Sequence, residues 1–447
     1  MNHISRLNTP INREIVERKI AELEVPEIGN ASIREIVQLV SSIEAVTGDR
    51  YIRMEMGIPG LPPAKVGVEA EIEALRNNVA SAYPRIDGIQ PLKEVTSRFV
   101  KLFMDIDVKP EGCVPTVGSM EGSYAAFLVS GSCRKERDTA LFIDPGFPVQ
   151  KQQLLVMGQK YETFDVFDFR GEKLRAKLDS YLSKGNINCI IYSNPNNPSW
   201  ICFDEEELKI IGDLANKYDI VVIEDLAYFG MDFRLDLSRP GVPPYQATVA
   251  RYTGNYILMI SSSKVFSYAG QRIGVMVISD ALYHRHFPYL EERLKVHGFG
   301  NAIVHRVLYS LTSGTSHSAQ YALAAMFKAA CDGTFNFVEK VKEYGEKAKI
   351  MKKLFIDNGF TIVYDTDHGQ PVGDGFYFTI AYPGMTGSEL LHKLLYYGIS
   401  AVSLSNTGST KEGLRACVSH VKRDQFGDLE IRLQQFNSDF PVKSEQV

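Results

Sequence analysis

Four short, unbroken apolar runs constrain the fold most: Thr139–Ile143, Asn188–Ser193, Asp219–Glu224 and Tyr256–Ile260, separated by helical stretches in the region between about residues 61 and 300. A run of this length without alternation fits a strand buried on both faces, as in a parallel sheet covered by helices. Strand and helix in regular alternation imply βαβ units, a mostly parallel sheet and the α/β class. Ligands of such sheets bind outside the carboxyl ends of the strands, so the residues just past each run are the first place to look for chemistry.

Past Ile260 stands Ser261-Ser262-Ser263-Lys264, with Arg272 eight residues further on. An amine at a buried strand's end, among hydroxyls and beside a second cation, suits attack on a carbonyl next to a bound phosphate. Past Glu224 comes Asp225, and Tyr228 follows three residues later. Glu224 points to the opposite side of an extended strand, which makes Asp225 the better candidate for a ligand-facing acid. The second run leads into Asn194-Pro195-Asn196-Asn197-Pro198-Ser199-Trp200, and Gly118-Ser119-Met120-Glu121-Gly122 opens a helical stretch. Backbone N–H groups at such a start attract anions, Ser119 and Ser261 add hydroxyl donors, and an arginine engages two oxygens at once. Each residue also has an ordinary reading. Most lysines are solvated, Asp225 and Ser119 fit helix N-caps, and a tyrosine is usually a packing residue.

In this order, and over nearly the whole chain from Gly57 to Arg415, these segments resemble the pyridoxal-phosphate-dependent aminotransferases of class I/II. This is the fold-type-I group that includes aspartate aminotransferase. The resemblance implies that Lys264 is the Schiff-base lysine and proton shuttle, and that Asp225 pairs with the pyridine nitrogen of the cofactor. It places Tyr228 and Asn197 on the ring's phenolic oxygen. Ser119, Met120, Ser261 and Arg272 fall among the other cofactor-binding residues, with phosphate donors supplied by Ser119, Ser261 and Arg272. Phe147, in Asp144-Pro145-Gly146-Phe147-Pro148, aligns with an aromatic that stacks on the ring, and Tyr83 with one that reaches the phosphate from a neighbouring subunit. A homodimer is therefore expected. Arg415 is assigned to the substrate α-carboxylate, with Asn197 and Gly57 nearby. The implied domains are a large cofactor-binding one, 61–300, and a smaller α+β one made from residues 1–60 and 301–447. The implied reaction is ping-pong transamination between an amino acid and a 2-oxo acid.

One departure stands out. Where the family reads Asn-Pro-Thr-Gly or Asn-Pro-x-Gly, this chain has Asn197-Pro198-Ser199-Trp200, the only tryptophan replacing glycine. Glycine positions often need unusual dihedrals, so a bulky residue there either lines the pocket or changes the local backbone. We expect it to narrow or shape the substrate side.

Three other function classes compete. Ser261-x-x-Lys264 also fits the serine acyl-enzyme motif, but its Lys-Thr-Gly companion has only Lys411-Glu412-Gly413 as an approximation. A lyase, decarboxylase or cyclopropane-forming synthase would keep the same cofactor residues, and Arg415 weighs against loss of the carboxylate. A cofactor-sensing regulator lacks any helix-turn-helix or basic region before Gly57. A net charge of -5, from 49 basic and 54 acidic residues well mixed, offers no footprint for nucleic acid. No signal-peptide h-region or membrane-length apolar run occurs, and six scattered cysteines without C-x-x-C argue against disulfides and zinc. A cytoplasmic, metal-free enzyme is expected. Arg293, His297 and Arg306 lie where a reader of a side-chain carboxylate would originate, but spacing selects none of them.

Overall fold

A computed structural model describes residues 8–442. The chain forms two compact units. One runs up to Gly60, takes Pro198–Trp200, and resumes at Glu343; the other comprises Leu61–Asn197 and Ile201–Lys342.

The second unit is built on seven strands: β1 (Cys113–Thr116), β2 (Thr139–Asp144), β3 (Lys160–Asp165), β4 (Ile187–Ser193), β5 (Val221–Leu226), β6 (Tyr256–Ser261) and β7 (Gly274–Ile278). They pair in the order β1-β7-β6-β5-β4-β2-β3. All are parallel except β7, which runs antiparallel to both β1 and β6. Every residue of β2, β4, β5 and β6 is buried, as the unbroken apolar runs require when helices cover both faces. Helix Gly118–Ser130 contributes Ala125, Ala126, Phe127 and Val129 to the core against Ile191, Ile223, Met259 and Met276. The expected run Asp219–Glu224 is displaced by two residues. Asp219 is the left-handed C-cap of helix Glu205–Tyr218, with φ 53°, and the strand extends through Asp225 to Leu226.

Residues 301–342, which the sequence patterning groups with the C-terminal domain, pack within the second unit. Helix His317–Cys331 lies against helices Lys65–Arg76 and Gln90–Met104. Its Phe327 stacks on Phe99 with ring centroids 4.3 Å apart, and Phe337 joins the same cluster. A helical stretch has no signature of which sheet it covers, so the break at Lys342/Glu343 is a property of packing.

The first unit combines the N-terminal segment with the C-terminal part. The alternating stretch Tyr51–Met56 yields only a two-residue strand, Ile52–Arg53, paired in parallel with Ile399–Ser400. Its main sheet is four-stranded and antiparallel, in the order Val402–Ser403, Leu414–Cys417, Tyr377–Ala381, Thr361–Ile362. Helix Ile33–Thr47 begins with a capping box between Ser32 and Glu35 and buries Ile36, Leu39, Val40 and Ile43. Among the described residues, no helix is long and apolar enough to cross a membrane, and all six cysteines are free thiols.

Candidate active site

The central strands β4, β5 and β6 are neighbours, and their register aligns their carboxyl ends. Ser193 pairs with Asp225, and Leu226 with Ile260. Asn197, Asp225, Tyr228 and Lys264 all leave the sheet at this edge. Asp225 is 7% exposed. Its Oδ2 accepts from Gln150 Nε2 at 3.0 Å and its Oδ1 from the Ala227 N–H at 3.1 Å. Burial raises the carboxyl from 3.8 to about 6, against the two hydrogen bonds and the charge of Lys264, which lower it. That opposition places the amine within electrostatic reach of the acid. Tyr228 is buried on the turn that follows β5, and Asn197 is held where its N–H donates to Ser193 Oγ at 3.1 Å.

Glu224 takes the opposite face of the strand, as extended geometry demands. It is fully buried there and accepts from Thr248 Oγ1 and the Val249 N–H at 2.6 and 3.2 Å.

The edge next to β6 forms an anion cradle. Gly274, first residue of β7, pairs with both Thr116 of β1 and Ser261 of β6, which brings Ser119 and Ser261 to either side of one strand start. Gly118 opens the helix with φ +64°, and a Cβ there would stand 2.4 Å from Arg272 Nη2. Only glycine lets the guanidinium lie against the first turn. Arg272 is itself left-handed, φ 50°, and fixes one nitrogen by donating from Nη1 to the Ala269 carbonyl at 2.9 Å. Ser119 Oγ is buried with no hydrogen-bond partner. A buried hydroxyl without a partner costs about 1–3 kcal/mol, so this atom is shaped for a ligand that accepts from it. A phosphate, with several acceptor oxygens and negative charge, fits this donor set. Met120 lies in the same first turn, and its carbonyl accepts from Gln153 Nε2 at 2.7 Å. Phe147, partly buried, is the N-cap of helix Pro148–Met157 at the end of β2.

Gln150 was not legible as a site residue. It sits in that helix without a motif, and only the fold brings it onto Asp225. Gly274 had a signal, the glycine closing Gln271-Arg272-Ile273-Gly274. Arg306 does not serve as a carboxylate reader in this arrangement. Its nitrogens donate to the carbonyls of Leu294, His305 and Lys295 at 2.7–3.0 Å. His297 stacks on His286 with ring centroids 4.5 Å apart, both exposed.

Tyr83 is 93% exposed, so within its own chain it packs against nothing that explains an aromatic there. In the first unit, Arg415 is 1% exposed, donates from Nη2 to the Glu55 carbonyl at 2.6 Å, and has a buried Nε with no partner. None of the described carboxylates pairs with it. A buried guanidinium without an anion is costly to keep, and a planar carboxylate is its natural complement. Gly57 has no room for a side chain, since a Cβ would stand 2.2 Å from Tyr377 Oη.

The aminotransferase class I and II family matches residues 50–429. The chain is 24% identical over 370 residues to a probable aspartate aminotransferase of Methanocaldococcus jannaschii, covering 76% of this chain and 89% of that one. It is 26% identical over 332 residues to an aspartate aminotransferase of Pyrococcus horikoshii, covering 73% and 74% respectively. A double mutant of Thermus thermophilus aspartate aminotransferase superposes with a TM-score of 0.73 over 94% of this chain and 98% of that chain, at 15% identity.

Proposed function

This chain belongs to the class I and II aminotransferases, and from that premise we propose that it uses pyridoxal 5′-phosphate, with Lys264 and Asp225 as its catalytic pair and Tyr228 beside them. The observation that carries the reading is the buried Asp225 carboxyl, held by Gln150 and the Ala227 N–H within reach of the Lys264 charge. When bound, the cofactor supplies an aldehyde for the amino group and a ring that absorbs the electrons left at the substrate Cα. The residues do the rest. Ser119, Ser261, Arg272 and the N–H groups around Met120 hold the phosphate, and the unpartnered Ser119 Oγ supports that role. Asp225 keeps a proton on the ring nitrogen, where its charge is compensated rather than buried alone. Tyr228 and Asn197 orient the ring oxygen, and Phe147 covers the ring. Lys264 Nζ would hold the aldehyde at rest, and once the substrate amine has displaced it, the freed amine would move the proton at Cα. Arg415 receives the substrate α-carboxylate, supported by its lack of an acidic partner, with Gly57 and Asn197 on the substrate side.

The amino donor follows from a survey. Each common amino acid is mixed with the holoenzyme and the visible spectrum recorded, and a 2-oxo acid is then added. A spectral change that the oxo acid reverses is the expected ping-pong signature. Release of pyruvate or ammonia without that reversal would replace transamination by a lyase reaction.

We further infer a cytoplasmic homodimer in which Tyr83 serves the partner's phosphate, supported by its 93% exposure. Co-expression of Tyr83→Ala with Lys264→Ala then gives hybrids with one intact site. Random pairing restores about a quarter of wild-type activity from two impaired parents. Activity no higher than that of the separate parents would mean that each site is built from one chain.

A further inference from the structure

Trp200 does not open to a surface. It takes a left-handed φ of 63°, the conformation for which glycine is ordinarily used, and is 1% exposed. A non-glycine residue in that conformation is strained, so the indole must gain something from its place. Its place is within the first unit, on a backbone left bare for it. A Cβ on Gly375 would stand 1.8 Å from Trp200 Cε2 and 2.1 Å from both Cζ2 and Nε1.

From there the ring meets Tyr377 edge-on, with centroids 6.4 Å apart and planes at 67°. Tyr377 in turn supports Arg415. On adjacent antiparallel strands Tyr377 faces Cys417 and Thr379 faces Arg415, so Tyr377 and Arg415 are diagonal neighbours on one face. The guanidinium carbon lies 4.7 Å from the Tyr377 ring centroid. At the other end, the Tyr377 hydroxyl occupies the space that a Cβ on Gly57 would take. Two absent side chains, at positions 57 and 375, thus make room for a stack of two aromatic rings and one guanidinium. The stack matters because little else holds the guanidinium. Among the described residues only the Glu55 carbonyl is hydrogen-bonded to it, and Nε is left over. The tyrosine ring covers one face of the guanidinium, and the indole abuts that ring together with Phe376, whose centroid is 5.1 Å away.

We propose that Trp200 is a positioning residue for the Arg415 clamp: by fixing Tyr377 it sets the affinity of this site for a substrate carboxylate. The identity of the anion rests on the aminotransferase reading; the coupling of the three side chains does not. A tryptophan that merely filled core volume would change stability when replaced but leave substrate affinity alone.

Steady-state kinetics with the best donor from the survey separate these roles. Trp200→Gly, which relieves the strained backbone, should raise KM by about tenfold with kcat within about threefold, the pattern of lost uniform binding. Trp200→Phe, which keeps a ring, should return KM to within about threefold of wild type. Should Trp200→Gly fail to fold, Gly375→Ala displaces the same indole and should reproduce the KM change. Unchanged KM in a folded variant, or a loss confined to kcat, overturns the proposal. The coupling also has a readout that needs no turnover, because Trp200 is the only tryptophan. Emission of the holoenzyme titrated with acetate, the simplest carboxylate, should shift saturably in the wild type and not in folded Arg415→Gln. Emission indifferent to acetate, or shifted alike in both, overturns it. A protein that turns over no amino acid yet shows the Arg415-dependent emission shift would refute the proposed transamination and leave the positioning role of Trp200 standing.

Discussion

Lys264→Ala is expected to lower turnover by about 10⁴-fold, the upper end for one general base, because the same amine serves two successive tasks in the proposed chemistry. The substitution removes a partly exposed side chain past the end of β6 and leaves every residue of that strand buried as before, so the fold should persist. The phosphate donors Ser119, Ser261 and Arg272 are untouched, and cofactor should still bind, now without a covalent bond. Borohydride reduction followed by peptide mass analysis checks this directly: the wild type carries a pyridoxyl group on Lys264 and the variant carries none. Lys264→Arg divides charge from proton transfer. It preserves a cation near Asp225 but cannot give up its proton near neutral pH, and should be as inactive as the alanine variant. Substantial turnover in Lys264→Arg, or a pyridoxyl group fixed on another lysine, would move the chemistry elsewhere in the chain.

Asp225→Asn should show opposite signs in function and stability. Turnover should fall by about 10³-fold, since a neutral amide cannot hold the proton on the ring nitrogen whose charge stabilises the electrons left at Cα. The apoprotein should become more stable at pH 8. Burial lifts the carboxyl from 3.8 to about 6 in the folded chain, so the folded state binds this proton more tightly than the unfolded one. Stability from this group is fully present below pH 3.8 and is lost as pH rises to about 6; above that the penalty is constant. The shift corresponds to about 3 kcal/mol. The amide carries no charge and retains an acceptor for the Ala227 N–H, so it avoids most of that cost. Glu224, also buried and raised to about 7, titrates close by, and subtracting the variant's urea-unfolding profile from that of the wild type between pH 4 and 8 isolates Asp225. A difference independent of pH, or apoprotein destabilised at pH 8, would mean that the carboxylate is already compensated without cofactor. The trade itself is what an acid stored for catalysis looks like.

Much of the site was readable because its signals are local. A strand buried on both faces announces itself by an unbroken apolar run, and Asp225, Asn197 and Lys264 stand within a few residues of such runs. Ser119 and Gly118 were readable for the same reason, as a helix start. Gln150 was not, since nothing around it in the chain distinguishes it from the other polar residues of its helix. Trp200 was visible as an anomaly, yet its destination was not. Sequence offered the pocket or an altered backbone, and the structure adds that the ring lies on Gly375 and Tyr377 at a left-handed φ.

The amino-acid order by itself determined the α/β class, the strand ends and the residue types waiting there, because burial on two faces and chain reversal are written in neighbouring residues. Tertiary structure alone decided that β5 lies beside β6, that residues 301–342 pack with the large unit, and that Tyr377 rests under Arg415. Those outcomes come from contacts between segments tens to hundreds of residues apart. Hydrophobic periodicity says that a face must be covered, and is silent about what covers it.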